Sequence, residues 1–348
     1  MPKLTHVCAL LLAVAAIALA TVAARAPFAG AAIPVPLRVG LVADTHGLLD
    51  GGSNELAAGA VRAASSRTSL GVRIDIRSSP SEASYLPALE SMAAQGYDLV
   101  IAVGPSEEAA VGQAARAYPD VRFAIVGGSS MSPAIAGLPN VLGLVFKVEQ
   151  SGYVAGYLAG LVERSSGPQL NAANTIGTIS GSADPASLRS LSGFRAGVRA
   201  ADPTVHLLAG FANAASGPAR CQSLAQGQIA RGADILYPVA GACGDGALAA
   251  ASAAGVWSIG SRLPADTLDA SLLATSAERA DRAVLLTLQA VASGTFAGGR
   301  DVELGLAQGA VSVTDMSAGL SRVIRVRVAA AANRVRAGRI SIPTAPAP

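Results

Sequence analysis

The sequence predicts an α/β protein of two doubly wound parallel-sheet lobes with a ligand cleft between them. Short β-branched apolar runs alternate with alanine-rich helical segments, the pattern of βαβ units. The strand runs are continuously apolar rather than alternating, as in parallel sheets covered on both faces. The series also occurs twice, joined near Phe146 to Ser151.

In the first series, Leu37 to Ala43 is a strand ending at Asp44, followed by a Gly-rich loop to Ser53-Asn54 and a helix over Glu55 to Ser65. Strands over 72–76, 98–103 and 122–126 then alternate with helices over 84–95 and 107–117. In the second series, strands over 174–179, 205–209, 235–239 and 256–259 alternate with helices over 187–200, 219–231 and 246–254. A helix from Glu278 to Ala292 is expected to return to the first lobe. A basic helix over 323–338 reads as a solvated surface element. The predicted lobes are 35–146 plus roughly 275–312, and 147–274 plus roughly 313–343. Ligands of such sheets bind outside the carboxyl ends of the strands, so the loops after Ala43, Val103, Ile179, Val239 and Ile259 should line the cleft.

The chain has 348 residues, 51% hydrophobic and 14% charged, with mean hydropathy +0.45. A spanning helix needs about 18–20 apolar residues, and the one such run, Val7 to Ala24, has the form of a cleavable leader. Lys3 supplies the positive start, Cys8 to Val22 the apolar stretch, and Ala24-Arg25-Ala26 a small-residue cleavage site, with a second near Gly30-Ala31-Ala32. A signal peptide over 1–26 and a periplasmic protein without a lipid anchor are therefore expected. Cleavage would leave 24 basic and 23 acidic side chains, a formal charge of +1. With 4% aromatic residues, the chain has neither the basic stripe nor the stacking residues of a nucleic-acid binder.

Catalytic signatures are missing. Lys147 is the only lysine beyond the leader, which excludes a Walker A loop. There is no G-x-S-x-G elbow, H-E-x-x-H helix or G-x-G-x-x-G fingerprint. The sequence reads as a binder and not an enzyme, with no cofactor and no metal. Gly241 to Gly246 follows a strand and opens a helix, so its backbone donors can meet a ligand oxygen, or it forms only a tight turn. Cys221 and Cys243 remain after the leader is removed; an oxidising compartment makes a disulfide of such a pair, with two inert thiols as the alternative. No histidine lies near either one.

Gly40-Leu-Val-Ala-Asp44 with Asp50 and Ser53-Asn54, Gln95 to Gly104, Tyr118 to Val126, Phe146-Lys147, Glu149 and Ser151 to Gly156 form an ordered set of motifs. Gly193 to Val198, Gly232 to Tyr237, Val239 to Gly241, Gly255 to Trp257 and Ala337 to Pro343 continue it. The set covers nearly the whole chain beyond the leader and resembles the basic membrane protein family of ABC-transporter substrate-binding proteins, whose best understood members are purine-nucleoside receptors. The resemblance implies a type I periplasmic-binding fold, two lobes closing on a small solute by hinge bending, a membrane permease as partner, and a monomer.

It also implies site residues. The family's aspartate and asparagine are kept as Asp44 and Asn54, but the phenylalanine between them, which stacks on the base, aligns with Ser53. The second stacking aromatic aligns with Ser190. Stacking contributes about 1–3 kcal/mol per base, so both losses bear on the ligand. The ribose-binding aspartate aligns with Arg262 and the lysine with Glu278. Either Arg262 offers its fork to an acidic solute, or Arg262 and Glu278 pair and keep the cleft neutral, which is the simpler change. Asp44 is the foremost ligand contact or a brace for the Gly47 to Gly52 turn, and Asn54 a contact or a helix N-cap. His46 is expected to be an exposed loop residue; Lys147 and Glu149 suggest a structural ion pair. The expected ligand set is thus Asp44, Ser53, Asn54, Ser190, Gly241, Arg262 and Glu278. The expected role is solute capture for an ABC importer, with a nucleoside or related small polar solute; the alternatives are a ligand sensor on the same fold, or a binder of an acidic solute.

Overall fold

Apolar residues on both faces of every central strand set the architecture. In β3 (Leu99–Val103), Leu99, Ile101 and Val103 join one core cluster and Val100 and Ala102 another. That is the period of two expected of a strand with helices on each side. The computed structural model describes residues 36–49, 51–66, 72–181, 183–213, 216–262 and 270–344. The expected leader and Asp50 lie outside them.

The first sheet is built from β1 (Arg38–Ala43), β2 (Arg73–Ser78), β3, β4 (Arg122–Val126), β5 (Val141–Phe146) and β11 (Arg300–Leu304), in the order β11-β5-β4-β3-β1-β2. All its pairs are parallel. The second sheet repeats the pattern with β6 (Thr175–Ser180), β7 (His206–Phe211), β8 (Ala233–Val239), β9 (Trp257–Gly260), β10 (Leu272–Glu278) and β12 (Val311–Thr314), in the order β12-β10-β9-β8-β6-β7. Only β12 runs antiparallel to its neighbour. In each sheet the winding reverses beside the first strand, between β1 and β3 and between β6 and β8, the place where such folds bind ligands.

Helices α1 (Ser53–Ser66), α2 (Tyr85–Ala94) and α3 (Glu108–Ala117) follow the early strands, and α4 (Val148–Glu163) begins just after the first sheet is left. In the second lobe come α5 (Pro185–Ala201), α6 (Pro218–Ile229) and α7 (Gly244–Ala254), then α8 (Ala280–Ala292) and finally α9 (Arg322–Arg336). α8 packs on α1, and α9 on α4. Among the described residues no helix is long and apolar enough to cross a membrane.

The chain passes between the sheets after β5, after β10 and after β11. The crossings lie side by side: Lys147 N donates to Leu304 O at 2.9 Å and Arg279 N to Ala310 O at 2.8 Å, and Gln150 Oε1 accepts from Leu306 N at 2.8 Å. Lys147 and Glu149 do not pair with each other. Lys147 Nζ meets Glu303 Oε2 at 2.6 Å, and Glu149 Oε2 takes Arg189 at 2.7 Å. Lys147 precedes α4 and faces β11, whereas Glu149 is buried on the α4 face that meets α5.

Two elements differ from the sequence expectation in ways that matter to the cleft. The helix expected from Glu278 starts at Ala280, and Glu278 instead ends β10. The segment 148–163 is a helix despite Gly152, Gly156 and Gly160, residues of poor helix propensity. Packing explains the glycines. A Cβ on Gly156 would stand 2.0 Å from Phe194 O of α5, and one on Gly193 would stand 2.1 Å from Glu149 O, so the two backbones meet with no room for side chains. Cys221 of α6 and Cys243, just before α7, are bonded with Cα atoms 5.5 Å apart, in the cluster on the outer face of the second sheet.

Gly156→Ala should lower stability by about 1–3 kcal/mol through overpacking against α5, read from the urea midpoint; an unchanged midpoint would show that the helices can move apart. Reduction, or the Cys221→Ser and Cys243→Ser double variant, should remove about 3 kcal/mol, measured in the same way with and without reductant. Equal curves would mean that the bridge adds nothing.

Candidate functional site

A cleft of about 540 Å³ opens between the carboxyl ends of the two sheets, a size suited to a small solute. It gathers all seven residues singled out from the sequence: Asp44, Ser53, Asn54, Ser190, Gly241, Arg262 and Glu278. The loops after β1, β3, β8 and β9 supply lining residues, while the loop after β6 opens on an adjoining chamber of about 220 Å³ shaped by Gly181 and Asp184.

Asp44 follows the last residue of β1. Its Oδ1 accepts from Asn54 Nδ2 at 2.6 Å and His46 N at 2.9 Å, and lies 3.0 Å from His46 Nδ1. Asn54 Oδ1 returns a bond from Asp44 N at 3.2 Å. Asn54 lies one residue inside α1 and is 1% exposed, so it acts as a clamp on Asp44 rather than as the N-cap. His46 is largely exposed yet held by Asp44. Asp44 also braces its turn, its carbonyl accepting from Gly47 N at 3.1 Å. Its other oxygen, Oδ2, takes no hydrogen bond from a described residue. Gly104 leaves room for that oxygen: its φ is +105°, and a Cβ there would lie 3.0 Å from Asp44 Oδ2.

Glu107, fully buried behind this wall, presents Oε1 to Val103 N at 3.4 Å and leaves Oε2 unbonded. Burial, with the charge of Asp44 adding less, pushes its carboxyl up to about 9 against the opposing bond from Val103.

The opposite wall is a chain of hydroxyls. Ser190 Oγ lies 3.0 Å from Tyr237 Oη, which donates to Ser276 Oγ at 3.3 Å. The Tyr237 ring stacks on Phe194, centroids 4.5 Å apart. Beyond Tyr237 and the His46 imidazole, no aromatic ring is found among the described lining residues, which include Ser53 and Ser190. Tyr237, Ser276 and Gly104 escaped the sequence reading as site residues. Tyr237 and Gly104 stood within quoted motifs, but only the fold shows which face of β8 meets the cleft.

Arg262 and Glu278 do not pair. Arg262 follows β9 and bonds Asp245 in the first turn of α7, which follows the neighbouring strand β8. Glu278, at the end of β10, is half-buried in the cleft wall and takes no hydrogen bond or ion pair from a described residue. Burial, then the nearby charge of Asp184, pushes its carboxyl up to about 7. The paired-swap expectation is therefore corrected, and with it the idea of an unengaged Arg262 fork. Gly241, at φ +51°, starts the tight turn into α7. Asp245 already occupies the first turn of that helix, where an anion would otherwise be favoured.

A family model described as ABC transporter substrate-binding protein, PnrA-like, matches residues 38–344. The chain belongs to this family of substrate-binding proteins. The family is one of substrate binding in ABC transport, and this chain carries the two-lobe α/β fold of solute-binding proteins. It is 27% identical over 285 residues to the CD4+ T-cell-stimulating antigen of Listeria monocytogenes, covering 77% of this chain and 76% of that one. It is 27% identical over 251 residues to the ABC transporter nucleoside-binding protein BmpA of Lactococcus lactis, covering 70% and 68%. Among solved structures, a solute-binding protein from Aeropyrum pernix K1 superposes with a TM-score of 0.72 at 21% identity, over 89% of this chain and 94% of that one. One from Conexibacter woesei gives 0.70 at 26%, over 88% and 99%.

Glu107 gives the family member a pH signature. The folded state keeps a proton that the unfolded chain releases above about 4.5, so the stability this group contributes is present below that value and lost as pH rises towards about 9. The expected slope is about 1.4 kcal/mol per pH unit. Urea melts from pH 5 to 8 should show Glu107→Gln falling less steeply than the parent by roughly that amount; parallel slopes would exclude a protonated Glu107.

Proposed function

We propose that this protein is the extracytoplasmic solute-binding component of an ABC importer. In this reading it takes a nucleoside or a related small polar solute between two lobes that close on it, and presents the closed form to a membrane permease. The observation that carries it is the cleft itself, which draws polar side chains from both lobes: Asp44 and Asn54 from one, Ser190, Tyr237 and Glu278 from the other. A ligand touching both walls stabilises the closed arrangement, which is how hinge closure couples to binding. The three parallel crossings support the same reading, because bending there moves each sheet as a body. The leader over 1–26 supports export. The nucleoside-binding relative in Lactococcus supports the ligand class. The serines at both stacking positions point to a solute held by hydrogen bonds and charge more than by ring stacking.

The test is a thermal-shift and calorimetric panel of purine and pyrimidine nucleosides, free bases, amino acids, polyols, amines and small carboxylates. A solute at 100 times its Kd should add about 2.7 kcal/mol to stability, and Asp44→Ala should abolish that shift. If no member of the panel binds, the assignment fails.

A further inference from the structure

The charges around the cleft are unequal in their engagement. Glu278 ends β10 at the cleft wall, half-buried, and receives no hydrogen bond or ion pair from a described residue. The groups that face it are themselves acidic or already engaged. Asp184, the N-cap of α5, accepts from Ser187 N at 2.9 Å and Ser187 Oγ at 2.6 Å. Tyr237 on β8 shares its hydroxyl with Ser190 and Ser276. The adjacent Arg279 turns away to Asp281 at 2.7 Å. Across the cleft, Asp44 Oδ2 takes no hydrogen bond from a described residue while Asn54 and His46 gather on Oδ1. The cation that lines the cleft, Arg262, is bonded to Asp245.

Closure over a solute strips water from these carboxylates. A buried carboxylate without a positive or hydrogen-bonded partner is strongly unfavourable, and in a low-dielectric cleft its attraction for a cation and its repulsion of an anion both grow. Resting on the reading of the cleft as the solute site, we infer that the preferred solute carries a positive charge, a protonated amine or a cationic ring nitrogen, which is placed against Glu278. The hydroxyl chain beside it and Asp44 Oδ2 accept or donate to the polar remainder of the molecule. An acidic solute is disfavoured by the same charges. The elevation of the Glu278 carboxyl to about 7 in the empty cleft fits this role, because an incoming cation replaces the proton.

The experiment is calorimetry of the purified protein with 7-methylguanosine and agmatine as cations, guanosine and ribitol as neutral solutes, and succinate as an anion. At least one cation should bind tenfold or more tightly than the neutral and anionic probes. Glu278→Gln should weaken that cation at least tenfold, and by a larger factor than it weakens any neutral solute that binds. The wild-type protein should bind the cation more tightly at pH 8 than at pH 6, a readout that needs no variant. If guanosine or succinate binds as tightly as either cation, or if neither Glu278→Gln nor pH moves cation affinity, the inference is wrong and the solute-binding assignment survives. If none of the five binds and the wider panel is also silent, both fall together.

Discussion

Everything in the cleft depends on the three crossings and the backbone bonds that hold them abreast. Lys147 N to Leu304 O joins the exits of β5 and β11 from the first sheet, and Arg279 N to Ala310 O joins the exit of β10 to the entry of β12 in the second. With the crossings fixed, the carboxyl ends of the two sheets open on the same space, and the switch points beside β1 and β6 both contribute to it. The geometry follows from connectivity: a chain that crosses three times side by side can let the lobes bend but cannot turn their binding edges apart. The Lys147–Glu303 and Glu149–Arg189 pairs flank the first crossing, and each secures a different lobe.

Within this frame the two walls are supported differently. The Asp44 wall is braced from behind by Asn54 and by the backbone of its own turn, so the carboxylate is oriented before any solute arrives. Preorganisation of this kind reduces the ordering required on binding. The Tyr237 wall is held by ring stacking on Phe194 and by neighbouring hydroxyls, and behind it α4 and α5 meet backbone to backbone at their glycines. On the same wall, burial and the nearby charge of Asp184 disfavour the ionised form of Glu278 and raise its carboxyl, and such shifts concentrate at functional positions. Arg262 illustrates the reverse, a residue at a ligand position whose charge is satisfied inside the protein.

Most strands and helices were legible because continuous apolar runs and alanine-rich segments have few other ways to fold. β5, α4, β10, β11 and β12 were not read. Val141–Phe146 carries a glycine, and α4 carries three at the spacing required for contact with α5, so local propensity argues against elements that tertiary packing stabilises. β11 and β12 are short edge strands with charged or polar residues, which resemble loops until they find a sheet edge.

By itself the sequence determined the α/β class, the repetition of the lobes and the end of each early strand at which chemistry gathers, because these follow from local periodicity and from the hydrogen-bonding demands of parallel strands. It pointed to Asp44 as a cleft residue through its place after the first strand as well as through resemblance, and to Glu278 through resemblance alone. Tertiary structure decided their state. It gave Asn54 to Asp44 and Asp245 to Arg262, left Glu278 without a hydrogen bond or ion pair from a described residue, and joined Cys221 to Cys243. Pairing between side chains distant in the chain depends on which loops the fold brings within a few ångströms of each other, and no local pattern encodes that choice.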